Sequence, residues 1–186
     1  MKKEFSRIVL MSASPRRREL LKEIIPSFDV AVSSCKENSV AKRPSFRVMD
    51  IARQKANVNP AVGELIISCD TLVYMKGKYY GKPKDREDAF NMLAELSGKT
   101  HYVYSGVCLK TQKKTYTFYD KSAVVFKKLS REEIYHYIDN LNPLDKAGAY
   151  GIQDGVVVER YMGSYSNIMG LPVEKLKENL KGDFYV

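Results

Sequence analysis

The chain of 186 residues is 44% hydrophobic and 28% charged, with a formal net charge of +9. This composition fits one soluble globular domain with a buried core, and it excludes a bilayer-spanning helix, because no apolar run nears the roughly 18 residues that one needs. The positive balance favours anionic partners, either nucleic acid or small phosphorylated ligands, and the dispersed lysines and arginines do not choose between them.

Near the N-terminus the apolar stretch Ile8 to Met11 is too short for the core of an export signal, so the expected compartment is the cytoplasm. Residues 6–13 (SRIVLMSA) read as a short buried strand that feeds a helix from Pro15 to about Ile25, stopped by Pro26. Residues 28–34 alternate like a second strand. After a polar loop, Val48, Ile51, Ala52 and Ala56 recur at helical spacing, which predicts a helix from about Ser45 to Val58. The apolar run 64–69 (ELIISC) has the character of a central strand and ends in Asp70-Thr71.

A hairpin is predicted to turn at Lys76-Gly77. Asp85 can cap a helix that presents Ala89, Met92, Leu93 and Leu96 on one face and ends at Ser97-Gly98. Two strands, about 100–110 and 115–126, flank a polar turn. Ser130 and Glu133 form a capping box for a helix to about Asn140, and Pro172 suits the start of a final helix. The pattern is mixed α/β with no repeat and no linker, hence a single domain over residues 1–186. Cys35, Cys69 and Cys108 are odd in number and never in a C-x-x-C pair, so they read as small apolar strand residues and not as a disulfide framework or zinc site.

Some features carry possible chemistry. Ser14-Pro15 starts a helix whose next residues are Arg16, Arg17 and Arg18, although that end of a helix is already electropositive. This is either a solvated basic face or a site where backbone N–H groups and guanidinium forks hold an anion. Successive helical residues lie about 100° apart, so two arginines can serve such a site while Arg18 turns to solvent. Asp70 either caps a turn or marks a ligand site at the carboxyl end of a strand. Lys82, in Gly81-Lys82-Pro83, is a loop lysine or a second cationic contact. The stretch 145–153 (DKAGAYGIQ) is a surface loop or a place where backbone approaches a ligand closely, with the Gln153 amide able to read a base edge.

Together and in this order, SASPRRRELL, CDTLV…GKP, AFNMLAELSG, HYVYSGV, DKAGAYGIQ and GSYSNIMGLP resemble the Maf family of nucleoside triphosphate pyrophosphatases, from residue 10 to about 176. The resemblance implies an elongated mixed α/β fold related to the inosine-triphosphate pyrophosphatases, with a central sheet flanked by helices and a cleft between two lobes. It implies hydrolysis of a nucleoside triphosphate to monophosphate and pyrophosphate with a divalent cation, Mg²⁺ or Mn²⁺. Ser12, Arg16 and Arg17 match the family's phosphate-binding segment. Asp70 matches its essential acid, as general base or metal ligand. Lys55, Lys82 and Gln153 match further substrate-binding positions, and Glu37 matches a second metal-binding acid. The chain departs from the pattern at Lys36, where an aspartate is usual, and at Cys69, where alanine is usual.

Neither Ser12 nor any cysteine has a base partner in the sequence pattern, so no covalent nucleophile is expected, and His101 and His136 fall in strand and helix contexts. The AYGIQ segment resembles the branch acting on dTTP and UTP, in which Gln153, helped by Thr71, would read a pyrimidine. The alternatives are a 7-methyl-GTP pyrophosphatase of the same family, or a non-enzymatic regulator of cell division, as the family's septum-formation name suggests. A homodimer is implied by the resemblance alone; nucleic acid and membrane partners are not expected.

Overall fold

The computed structural model describes residues 5–184. Its strands are β1 (Arg7–Met11), β2 (Asp29–Ala31), β3 (Glu64–Met75), β4 (Lys78–Tyr80), β5 (Thr100–Lys110), β6 (Thr115–Phe126) and β7 (Val158–Met162). The helices are α1 (Pro15–Lys22), α2 (Pro44–Lys55), α3 (Arg86–Leu96), α4 (Arg131–Leu141), α5 (Tyr165–Met169) and α6 (Val173–Asn179). A seven-stranded mixed sheet runs in the order β2-β1-β3-β5-β6-β7, with β4 paired to β3. The pairs β1–β2 and β1–β3 are parallel, whereas β3–β4 and β6–β7 are antiparallel. No helix among the described residues is long and apolar enough to cross a membrane.

The chain divides into two compact units. Among the described residues, the first contains 5–71, 105–120 and 170–184, and the second contains 72–104 and 121–169.

In the first unit α2 lies on a core of Val9, Met11, Ala52, Ala56, Ile66 and Cys108. Its approach to β5 is very close. A Cβ on Gly106 would come within 2.4 Å of the Val48 carbonyl carbon, so only glycine lets the helix backbone rest there. The Ser68 hydroxyl donates to the Ala52 carbonyl at 2.6 Å and fixes the register of α2 against β3. Both contacts set the height of Lys55, the last residue of that helix. The helix begins at Pro44, one residue before the expected start, because proline is well suited to a first helical position. It ends at Lys55 and not at Val58. The second strand is also shorter than expected, with only Asp29–Ala31 paired, and Val32 is exposed.

In the second unit Ala89, Leu93 and Leu96 of α3 and Ile134, Tyr137 and Ile138 of α4 pack with Val103 and Phe126. Local signals hold closely here. Lys76 and Gly77 both have positive φ, as a two-residue hairpin turn requires, and the Ser130–Glu133 capping box has both of its hydrogen bonds. Of the cysteines, Cys69 and Cys108 are buried on strands as expected, but Cys35 is half-buried in a loop.

His101 is fully buried in this unit, with Nε2 2.9 Å from the Tyr150 hydroxyl and edge-on to Phe126. Burial pushes its pKa down to about 4, from an ordinary value near 6.5. The folded state therefore keeps the ring neutral while the unfolded chain takes up a proton below 6.5. Stability from this group is complete above about pH 6.5 and is lost as the pH falls towards 4. Replacing His101 with Gln should flatten that part of the stability profile in thermal melts at stepped pH. An unchanged slope between wild type and variant would contradict the assignment.

Candidate active site

The site residues of the first unit gather where β1 ends and where β3 reaches Asp70-Thr71. Consecutive strand residues point to opposite faces, so β3 sends Asp70 to the face covered by α2 and Thr71 to the other.

On the α2 face, the Lys55 ammonium is shared by two acids. Its Nζ lies 2.8 Å from Asp70 Oδ1 and 3.1 Å from Glu37 Oε1. Lys55 and Asp70 are nearly buried, with side chains 11% and 12% exposed, whereas Glu37 sits at 53% in the loop before α2. Two carboxylates thus aim at one point of positive charge. That geometry and the hard oxygen donors suit a divalent cation that fills its other positions with waters or other outside oxygen ligands. No group of three or more His, Cys, Asp or Glu side chains among the described residues is placed to hold a metal without such outside ligands.

On the opposite face the Ser14 side chain caps α1 by accepting from the Arg17 backbone N–H. No acid lies in the first turn of that helix. The Arg17 guanidinium is tied down along its length. Nε donates to the Gly170 carbonyl at 2.8 Å, Nη2 to Thr71 Oγ1 at 3.0 Å, and Nη1 to Ser12 Oγ at 3.4 Å. Ser12 Oγ also accepts from the Ser14 backbone N–H at 3.2 Å. Two acceptances leave the Ser12 proton to donate outward. Arg16 is half-buried and Arg18 is exposed, as the helical spacing predicts.

The structure therefore brings Glu37, Lys55 and Asp70 together in one group, and Ser12, Arg17 and Thr71 in another. The Thr71 hydroxyl is engaged by Arg17, Ser105 and Gly170. Sequence reasoning missed Ser105 and the Gly170 carbonyl. Both fall inside the recognised segments, but nothing in a residue pattern says that a buried serine or a backbone carbonyl meets Arg17.

Lys82 and Gln153 belong to the second unit. Both are exposed, and their loops are joined where the Gly148 N–H donates to the Gly81 carbonyl at 2.9 Å. Gly148 has φ +72°, and a Cβ there would meet Val73 at 3.0 Å, so this position requires glycine. Gln153 lies in the short turn Ile152–Asp154. The Tyr137 hydroxyl braces that turn by donating to Asp154 Oδ2 and accepting from the Gly151 N–H.

The two buried cysteines offer no nucleophile. Burial raises the thiol pKa of Cys69, and that of Cys108 to about 11, which keeps both protonated at neutral pH.

The Ham1 protein of Staphylococcus aureus has a similar mixed α/β fold, with a TM-score of 0.54 at 14% identity over 96% of this chain and 100% of that one. The profile of the Maf family, described as Maf-like protein, matches residues 7–182, and the chain belongs to that family. A protein from Thermoanaerobacter sp. (strain X514), named dTTP/UTP pyrophosphatase, is 44% identical over 97% of this chain and 98% of its own. Relatives with the same name include one from Clostridium beijerinckii, 45% identical over 94% of this chain and 98% of its own. Another, from Flavobacterium psychrophilum, is 42% identical over 93% and 92%.

Replacing Lys55 with Ala leaves Glu37 and Asp70 facing each other without a cation. We expect a loss of about 1–3 kcal/mol of stability at neutral pH, the cost of an unsatisfied, partly buried charge, and its partial recovery when millimolar Mg²⁺ is added. Thermal melts of the variant with and without Mg²⁺ check this. A melting temperature that ignores Mg²⁺ would contradict the pair as a cation site.

Proposed function

We propose that this protein hydrolyses dTTP and UTP to the monophosphate and pyrophosphate, assisted by Mg²⁺ or Mn²⁺, in the cytoplasm. The observations that carry the reading are the pair of carboxylates converging on Lys55 and the arginine fixed by the next residue of β3, in a chain 44% identical to a dTTP/UTP pyrophosphatase. The family match runs unbroken through both units, which supports treating the chain as one functional domain.

Transfer at phosphorus depends on positioning and charge neutralisation more than on covalent work by the protein. Arg17 presents N–H groups to phosphoryl oxygens, with Ser12 donating its hydroxyl and Arg16 adding charge. Lys82 supplies a further point charge, and Gln153 reads the pyrimidine edge through its amide donor and acceptor. Lys55 holds Asp70 Oδ1, so Asp70 turns its other oxygen to the attacking water and takes its proton as the water meets the α-phosphorus. A divalent cation held by Glu37 and Asp70 would neutralise charge building on the leaving pyrophosphate.

A panel of nucleoside triphosphates with Mg²⁺, assayed for pyrophosphate release, tests the reading. dTTP and UTP should rank first; preference for 7-methyl-GTP would move the chain to another branch, and no turnover at all would remove the enzymatic reading. Asp70→Asn should lower the rate at least about 100-fold, the lower end for loss of a general base, with little change in melting temperature. Gln153→Ala should reorder the bases without abolishing turnover.

A further inference from the structure

A part-buried run of hydrogen bonds around Arg17 includes Ser105 and Gly170, which the proposed chemistry leaves unused. Ser105 in β5 is fully buried, and its Oγ lies 2.9 Å from Thr71 Oγ1. Thr71 Oγ1 accepts from Arg17 Nη2 and lies 3.2 Å from the Gly170 carbonyl oxygen. That carbonyl also accepts from Arg17 Nε at 2.8 Å. Gly170 has φ +121°, a backbone conformation that residues bearing a side chain resist.

A hydroxyl carries one proton and two acceptor sites. The Thr71 hydroxyl accepts from Arg17 and meets both Ser105 Oγ and the Gly170 carbonyl, which also takes the Cys69 thiol at 3.1 Å. The guanidinium has five N–H donors, and one each on Nε, Nη1 and Nη2 is taken by Gly170, Ser12 and Thr71. One N–H on each Nη remains, a pair that can grip two oxygens of a single phosphoryl group.

We propose that Ser105 is a positioning residue: its hydroxyl fixes the Thr71 hydroxyl, which orients Arg17 to meet one phosphoryl group of the substrate. Ser105 does not touch the ligand. It removes rotamer freedom from Thr71 and Arg17 before binding, so that less ordering is left to occur when the phosphate arrives. The assignment rests on the triphosphate reading given above.

Inorganic pyrophosphate is the probe, titrated calorimetrically against the full chain with Mg²⁺. Ser105→Ala should weaken pyrophosphate binding about fivefold to tenfold, the size of one net hydrogen bond. It should raise KM for dTTP by a similar factor while kcat stays within about twofold, a split that general destabilisation would not produce. In an Arg17→Lys background, which cannot make the Nε and Nη bonds, the same substitution should have no further effect on pyrophosphate affinity. Ser105→Cys retains a weak donor of similar size and should fall between wild type and Ser105→Ala, and it serves as the test if the alanine variant fails to fold. Equal weakening in both backgrounds, or unchanged pyrophosphate affinity in Ser105→Ala, would overturn the proposal, as would a wild type that does not bind pyrophosphate. Absence of dTTP turnover by a wild type that binds pyrophosphate would instead refute the activity and leave the role of Ser105 to be judged on affinity.

Discussion

The Lys55 ammonium, shared between Asp70 and Glu37, is the contact on which the remaining features of the first unit converge. A partly buried lysine between two acids is costly to assemble, and its loss is damaging, because without Lys55 both Asp70 and Glu37 are left without a cation. The fold meets that cost with fixed backbone. Gly106 lets α2 rest against β5, Ser68 pins the helix at Ala52, and Lys55 ends α2 level with Asp70. Of the three charges, Glu37 is the most exposed and comes from a loop, so it is the member freest to exchange Lys55 for another cation.

The alternation of β3 divides the labour. Asp70 meets Lys55 on one face, and Thr71 meets Arg17 on the other, through consecutive residues of one strand. This also resolves the odd run of arginines in the first turn of α1. Arg17 does not leave its charge against the helix terminus. It donates to a carbonyl and two hydroxyls. Arg18, at the next position, is exposed.

What could be read from the sequence was local. The hairpin turn at Lys76-Gly77, the capping box at Ser130–Glu133 and the Asp85 cap of α3 are settled within a few residues, and all were legible. Strand and helix ends were less so. Pro44 opens α2 one residue early, and only three residues of the second strand find a partner. Among the site candidates, residue type and position pointed to Arg17 and Asp70, and the family resemblance added Lys55. The Ser105–Thr71–Gly170 run was not legible, because its members are 34 and 99 residues apart and one acts through its backbone carbonyl. The closeness of Gly106 to α2 is likewise a property of packed backbone and leaves no periodic trace.

Attack of water at the α-phosphorus is the step that defines the proposed activity, and isotope placement tests it most directly. Hydrolysis of dTTP in ¹⁸O-water should leave the label in the monophosphate and none in pyrophosphate. Label in pyrophosphate, or release of inorganic phosphate with a diphosphate product, would contradict the account.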